Sequence, residues 1–517
     1  MLLASGSRAG AQSSGAVGAS DALVAMAEGR FGVLSAGELR MIRGAPNREL
    51  VWISPVADPD AAINDPAKSQ NWGKDRTIRA DVLAWLITDA DASKLVHPSG
   101  VGIAAARIEG LLDLSYLNVI HPLTLLDCAL PAGIDLSRAH AESIDLRRSW
   151  TGPITGDLTV VHDDLNLVLG RYGSISLFRA EIGGNLDCSA SHLIGDPPLG
   201  AQLATINGDA VFHNGFETAG VIDLRLARIG ESLSVNDAHF VGSGDNGINA
   251  ERATIGGTLY WVDIKTTPRT VLDLSDAHAG SLWDDEASWP AAGNLNLDGF
   301  VYGDFAGGPN DAFSRLRWLR RQPQALLAQP QPYRQLALVL REEGAQEGAV
   351  RVEVARETAL TSYGQMGLAT WLWRQALRAT IGYGYRPLRA LWWILGFVLI
   401  GTALFRWGYD ARLITPTEEG AYREFIKSGE PPRHYPPFSS FVYSLENFLP
   451  VVDLHQGSYW RPNPFHRPAN PRRRRLKWGD ETISARLLRC YLWIHILAGW
   501  TITPLLFAGL AGLLRSD

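Results

Sequence analysis

The sequence predicts a mainly β protein: a parallel β-solenoid (β-helix) with an N-terminal helical cap, a helical connector and C-terminal transmembrane helices. Three observations carry this reading. A short Ala-x-Ile-Gly-Gly unit recurs from about residue 103, each copy followed by a Leu-x-Leu type pair. Two long uncharged apolar runs lie beyond residue 388. The charge also divides. Residues 1–310 carry 21 Lys and Arg against 38 Asp and Glu, and residues 311–517 carry 27 against 16, so −17 stands beside +11 in a chain whose total is −6. Ten of the 17 Trp follow residue 310. An apolar content of 46% excludes disorder throughout, and three widely spaced Cys exclude a disulfide scaffold.

The first element, residues 1–20, reads as a disordered Gly/Ser/Ala lead. It holds no apolar stretch long enough for a secretory signal, so the first half is expected to stay in the cytoplasm. Residues 21–100 form the helical cap. Ser35-Ala-Gly-Glu38 is a capping-box pattern ahead of Leu39, Met41 and Ile42. A second helix is expected from Arg76 to Thr88, because Ile78, Val82, Trp85 and Leu86 recur at helical spacing and Asp75 stands where a cap belongs.

Residues 101–305 are the solenoid. Ala106-Arg-Ile108-Glu-Gly110 is echoed by Ala180-Glu-Ile182-Gly-Gly184, Ala227-Arg-Ile229-Gly-Glu231, Ala253-Thr-Ile255-Gly-Gly257 and Ala277-His-Ala279-Gly-Ser281. Units recur every 23 to 26 residues along Ile182, Ile206, Ile229, Ile255 and Ala279. Alternation puts one face of each short strand inside, Gly is expected at the corners, and so short a unit buries its apolar side only by stacking. In the Leu-Asp-Leu pairs the Asp points outward, so Asp113, Asp135, Asp145, Asp187, Asp223 and Asp273 are expected on one acidic face suited to a basic partner. Gly242-Ser-Gly-Asp-Asn-Gly247 fits the dinucleotide-binding spacing. It lacks the preceding strand, the following helix and the acidic residue that this chemistry needs, so it reads as a solenoid turn. The Cys and His show no metal-ligand spacing, and the Cys read as core residues.

Residues 306–380 are the connector: a basic helix around Phe313–Arg320, a Pro/Gln-rich stretch, and two amphipathic helices hinged at Gly344. Residues 381–517 are the membrane domain. Spans are expected at about 388–406 and 490–514, with Trp and Arg at their ends. Arg374, Arg378, Arg386 and Arg389 place the N-terminal side inside. Arg472, Arg473, Arg474, Arg475 and Lys477 fall between the spans, which suggests that residues 438–454 dip into the membrane or lie in its interface, with Glu446 and Asp453 as the dipping acids. Thr380-Ile-Gly-Tyr-Gly384 looks like a potassium selectivity filter, but it precedes the first span and reads as a turn feeding it.

Several stretches resemble a family of bacterial proteins with pentapeptide-like β-solenoid repeats and C-terminal membrane spans, commonly labelled membrane-associated oxidoreductase. They are Thr77-Ile-Arg-Ala-Asp-Val-Leu83, His97-Pro98, the Ile-Gly-Gly and Leu-Asp-Leu coils, Gly382-Tyr-Gly-Tyr-Arg-Pro387, Tyr443-Ser-Leu-Glu-Asn-Phe-Leu-Pro450 and Gly499-Trp500. The label implies redox chemistry, yet the residues carry no cofactor motif, and neither a catalytic residue nor a cofactor or metal is expected. The leading expectation is a scaffold or sensor in the bacterial inner membrane, multi-pass, with its solenoid in the cytoplasm. Its expected partners are the lipid bilayer and a protein, a basic one by the acidic face. The membrane part leaves room for homo-oligomerisation, and no nucleic acid is expected. The alternatives are a pore-loop-like ion channel module regulated by the solenoid, and the oxidoreductase of the family label.

Overall fold

The structure is a computed structural model that describes residues 6–463 and 481–512. It divides into two compact units, residues 1–355 and 356–517. The first is a parallel β-solenoid of about nine turns, consistent with a pentapeptide-repeat-like fold.

Each regular coil makes four short strands. Two consecutive ones belong to one sheet and the other two to a sheet each. The isoleucines singled out by their spacing stand in one ladder. Val119, Ala141, Val161, Ile182, Ile206, Ile229, Ile255, Ala279 and Tyr302 pair in register from coil to coil. A second ladder runs Leu112, Ile134, Ile154, Ile175, Leu199, Ile222, Ile248, Leu272, Leu295. All of these side chains are buried, so the apolar residue of each two-residue strand fills the interior and its neighbour faces out. In the last coils two strands fuse into longer ones, Thr254–Trp261, His278–Asp284 and Val301–Gly307.

The corners differ from expectation. Many are made by non-glycine residues at positive φ: Tyr116, Arg138, Leu158, Arg179, Leu203, Leu226, Arg252 and Asp276 recur once per coil at φ between 52° and 61°. Glycine serves another purpose here. A Cβ on Gly256 would collide with the carbonyl oxygen of Gly230 in the coil before it, and one on Gly230 with that of Asn207. The Ile-Gly-Gly signature therefore marks close stacking of successive coils more than left-handed backbone.

Before the solenoid, helices α1 (Gly6–Phe31), α2 (Ala36–Gly44) and α3 (Ala80–Thr88) form. Residues 6–20 thus lie in a helix rather than in an unordered lead. Their alanine content favours helix, and Leu23 and Ala27 further along are fully buried. The second helix starts later than its periodicity suggested. Thr77–Arg79 is a strand paired with Arg107–Glu109, so Arg79 and not Asp75 stands at the N-cap, without a side-chain bond. Val51–Trp52 pairs with Ile103 and Ala104. The solenoid sheets therefore begin about fifty residues before residue 101.

After the last coil come α4 (Ala312–Leu319), α5 (Gln331–Glu342) and α6 (Gln346–Tyr363), with Gly344 at φ 83° between the last two. The unit boundary falls inside α6, not at residue 380, because α4 and α5 complete the solenoid's own packing.

The second unit holds α7 (Leu368–Ile381), α8 (Arg389–Asp410), α9 (Glu419–Ser428), α10 (Ser440–Phe448), the single turn α11 (Gln456–Tyr459) and α12 (Glu481–Leu510). Gly382 and Tyr383, both at positive φ, turn the chain from α7 toward α8. Two helices, Arg389–Asp410 and Ser484–Leu510, are long and apolar enough to cross a membrane. Only 22% and 39% of their most apolar windows are buried, which is the reverse of a soluble core helix. The helix inside 438–454 is shorter than that stretch. It ends at Phe448 because Leu449, which precedes Pro450, is extended (φ −87°, ψ 110°). The basic cluster at 472–477 lies outside the described residues.

Candidate functional site

The six outward aspartates do not form one face. Asp113, Asp135, Asp223 and Asp273 share a ladder with Thr155, Ser176, Gly200, Asn249 and Asn296. Asp145 and Asp187 stand on another sheet, beside Thr124, Asn166 and Val211. Among the six, only Asp113 and Asp135 are direct neighbours, so like charges are spaced by neutral residues.

Each of the six has a local task. Asp113, Asp135, Asp145, Asp187, Asp223 and Asp273 accept the N–H two residues ahead, from Ser115, Ser137, Arg147, Ser189, Arg225 and Ser275, at 2.9–3.2 Å. This Asx turn steers the chain into the positive-φ residue that follows. Asp145 and Asp223 also pair with Arg147 and Arg225. Burial pushes the Asp223 carboxyl up, but bonds from Arg225 and Gln202 more than offset it and hold the group below the usual carboxylate range. Leu-Asp-Leu is therefore a corner signal first.

The exposed feature of the solenoid is the edge those corners make. Tyr116, Leu158, Leu203 and Leu226 project from successive left-handed positions, 73%, 37%, 38% and 40% exposed. Arg138, Arg179 and Arg252 alternate with them. The Arg138 guanidinium lies over the Tyr116 ring and that of Arg179 over Phe178. Sequence reasoning passed over this edge, although a bulky residue three places after each Leu-Asp or Ile-Asp was visible.

Both ends of the solenoid are closed by side chains that satisfy backbone groups. At the first coils Ser35 Oγ donates to Thr77 O, Glu38 accepts from Arg79 N and Nε, and Arg76 donates to Ala105 O, Ile63 O and Asn64. The Ser35–Glu38 capping box forms as its pattern indicated. At the last coils Gln331, Gln335 and Glu343 bond Gly299 N, Phe300 O, Tyr302 O and Phe305 N. Arg315 of α4 reaches Asp284 with Nη2–Oδ1 2.7 Å and Nη1–Oδ2 2.8 Å, both residues being inside. It also stacks 3.9 Å from the Phe305 ring centroid.

In the helical unit α10 packs against α8 and α12. His495 of α12 is fully buried among the rings of Phe397, Phe405, Phe448 and Tyr491. Its Nε2 lies 3.0 Å from Ser444 O, and Ser444 Oγ donates to Val398 O at 2.9 Å. Gly401 and Gly499 admit α10, since a Cβ on the first would strike Ser444 and His495 and on the second Phe448 O. Glu446 is committed, because its carboxylate accepts the N–H groups of Gln456 and Gly457. Asp453 and His455 form an exposed pair at 2.7 Å in the turn beyond α10. The two predicted membrane-dip acids thus part company: Glu446 folds the turn and Asp453 faces outward.

Cys128 and Cys188 are buried core residues, and burial pushes the Cys128 thiol up to about 12. Cys490 is exposed on α12. Among the described residues no group of three His, Cys, Asp or Glu is placed to hold a metal ion. Compared with known proteins, the chain matches no family model, no curated protein and no solved structure.

Proposed function

We propose that this chain is a membrane-anchored β-solenoid scaffold or sensor that binds a protein partner and couples it to the membrane. In this reading α1–α3 cap one end of the solenoid, and α4–α6 are the connector at the other. α8 and α12 cross the inner membrane of a bacterium, and the solenoid lies in the cytoplasm. The observation that carries it is the pairing, in one chain, of a closed solenoid with two helices whose apolar side chains stay exposed. Leu391, Trp392, Leu395, Leu399 and Ile400 on α8, and Ile494, Leu497, Trp500 and Phe507 on α12, have no protein cover. Lipid, or α8 and α12 of a second copy, supplies it.

The partner surface is the solenoid edge of Tyr116, Leu158, Leu203 and Leu226 with its arginines. Aromatic, aliphatic and Arg side chains on a rigid backbone are the composition of interface centres, whereas the aspartates are spent on corners. The test is capture of partners by the full-length protein from membranes of its own cells. Leu203→Asp with Leu226→Asp should abolish capture that Asp113→Asn with Asp135→Asn leaves intact. If neither pair of changes alters what is captured, the scaffold reading fails. Reporters fused after Asp410 and Asp517 test the topology: both should report the sides expected of two crossings.

A second reading has its own support. A short helix held between two apolar helices, with an exposed ion pair in the following turn, is the layout of a pore-loop channel module. It predicts ion flux through protein reconstituted in liposomes that falls when Asp453 becomes Asn. Flux indifferent to that change would remove it. The oxidoreductase reading rests on resemblance alone, and the absorbance spectrum of purified protein decides it by the presence or lack of a flavin or nicotinamide band.

A further inference from the structure

The helical unit contains a pocket of about 610 Å³ whose lining includes Thr417, Asn447, Arg461, Asn463, Arg489 and Trp493. Its place follows from the local chain path. Ile414–Pro416, just beyond α8, pairs antiparallel with Trp460–Pro462. Arg489 and Trp493 stand on α12 near its beginning. The pocket therefore lies at the end of the unit where α8 finishes and α12 starts.

Two cations meet there without counter-charges. Among the described residues neither Arg461 nor Arg489 forms an ion pair, and both are exposed. Other arginines of the unit are paired: Arg374 with Glu357, Arg406 with Asp410, Arg423 with Glu419. The carboxylate of Glu419, which also lines the pocket, is thereby engaged. The Arg489 guanidinium lies 5.3 Å from the Trp493 ring centroid, and Trp493, Ile494 and Leu497 continue from it as an exposed apolar face.

Two guanidinium forks in a concave site lined by amide and hydroxyl groups suit a multiply oxygenated anion, and phosphate is the one they fit bidentately. The apolar face running from the same site separates a lipid from a free ion, since it would take acyl chains as the arginines take the headgroup. An Arg beside a Trp at the end of an apolar helix is also the usual signature of the membrane interface. We propose that this pocket binds the phosphodiester headgroup of an anionic phospholipid. Arg461 and Arg489 hold the phosphate, and the Trp493, Ile494 and Leu497 face of α12 holds the chains. The assignment rests on the reading that α8 and α12 span a membrane.

The test uses the full-length protein in neutral detergent. Binding of phosphatidylglycerol and of phosphatidylcholine with the same acyl chains is measured by native mass spectrometry, with inorganic phosphate as a third arm. The wild type should prefer phosphatidylglycerol. Arg461→Gln with Arg489→Gln should lower that affinity roughly tenfold to thirtyfold, the loss of two charges acting at the headgroup. Arg489→Lys, which keeps the charge and loses the fork, should cost about threefold. Arg433→Gln, exposed and outside the pocket lining, should change nothing. Both pocket arginines are exposed, so thermal unfolding should match the wild type. Equal binding of the two lipids, or a double variant that binds like the wild type, overturns the proposal. So does inorganic phosphate that displaces the lipid at millimolar concentration. Extraction of the protein from membranes by alkaline carbonate would sink the membrane reading instead, and does not depend on the detergent result.

Discussion

The solenoid and the helical unit obtain their cores by opposite means. In the solenoid a side chain's main neighbours occupy the same position one coil away, as Ile206 stands between Ile182 and Ile229. The core repeats, and its stability is close to a sum over adjacent coils. In the helical unit nothing repeats. Phe405, Phe425, Tyr435, Tyr443 and Trp460 come from α8, α9, α10 and the segments between them, and meet in one cluster. Rings pair edge-on there, Phe405 with Tyr443 at 4.9 Å and Phe425 with Trp460 at 5.8 Å. A lost rung in the solenoid is a local fault. A lost ring in the helical unit has no substitute. The solenoid is vulnerable where repetition stops, at its two ends.

The largest expected effect breaks that rule at an end. Arg315→Ala leaves Asp284 buried without its partner and should cost the solenoid about 3–5 kcal/mol, read from the urea unfolding of the full chain. Asp284→Leu with Arg315→Leu together should cost clearly less, because no unpaired charge remains. Within the repeat, Gly256→Ala forces a Cβ onto Gly230 O and should cost about 1–3 kcal/mol, whereas Gly244→Ala, with open space around it, should stay within about 0.5 kcal/mol.

The helical unit offers the matching test. Gly499→Ala meets Phe448 O, so hydrogen exchange at 440–448 should speed up roughly tenfold while the solenoid amides are unaffected. Glu38 gives a smaller, pH-dependent effect at the first coils. Burial pushes its carboxyl up, but the bonds from Arg79 and from the N–H groups of Ser35 and Arg79 outweigh this and lower the pKa. A carboxyl with a lowered folded pKa stabilises above its unfolded pKa, and that contribution disappears as the pH falls through the folded value. The wild type should therefore lose about 1–2 kcal/mol more than Glu38→Gln on acidification below about pH 4. Smallest is Asp113→Asn, which keeps the Asx acceptor and relieves the Asp135 contact. It should shift stability by less than about 0.5 kcal/mol in either direction.

What was legible in the sequence follows the same division. The ladder through Ile182, Ile206, Ile229, Ile255 and Ala279 could be read because parallel stacking without slippage turns spatial register into sequence period. The strand at Thr77–Arg79 was missed because its Ile78 fits helical spacing as well, and only pairing with Ile108 decides the matter. Outwardness of the aspartates was readable, but their distribution over two sheets was not, since it depends on which of four strands per coil each one occupies. Glu446 and Asp453 looked alike as acids near an apolar helix. Only the path of the turn after Pro450 gives one a structural task and exposes the other. The unpaired arginines at 461 and 489 come together through a strand pair that local sequence does not announce.

The in-register stacking of the coils also fixes a length. Parallel strands sit about 4.8 Å apart, so about nine turns set the α2–α3 end and the α4 end of the solenoid roughly 40 Å from one another. Because each coil touches only those beside it, excising or duplicating one whole coil would change that distance by one strand spacing and leave both end structures as they are. The solenoid is thus graduated: whatever its ends hold apart, the number of coils meters the gap in steps smaller than 5 Å.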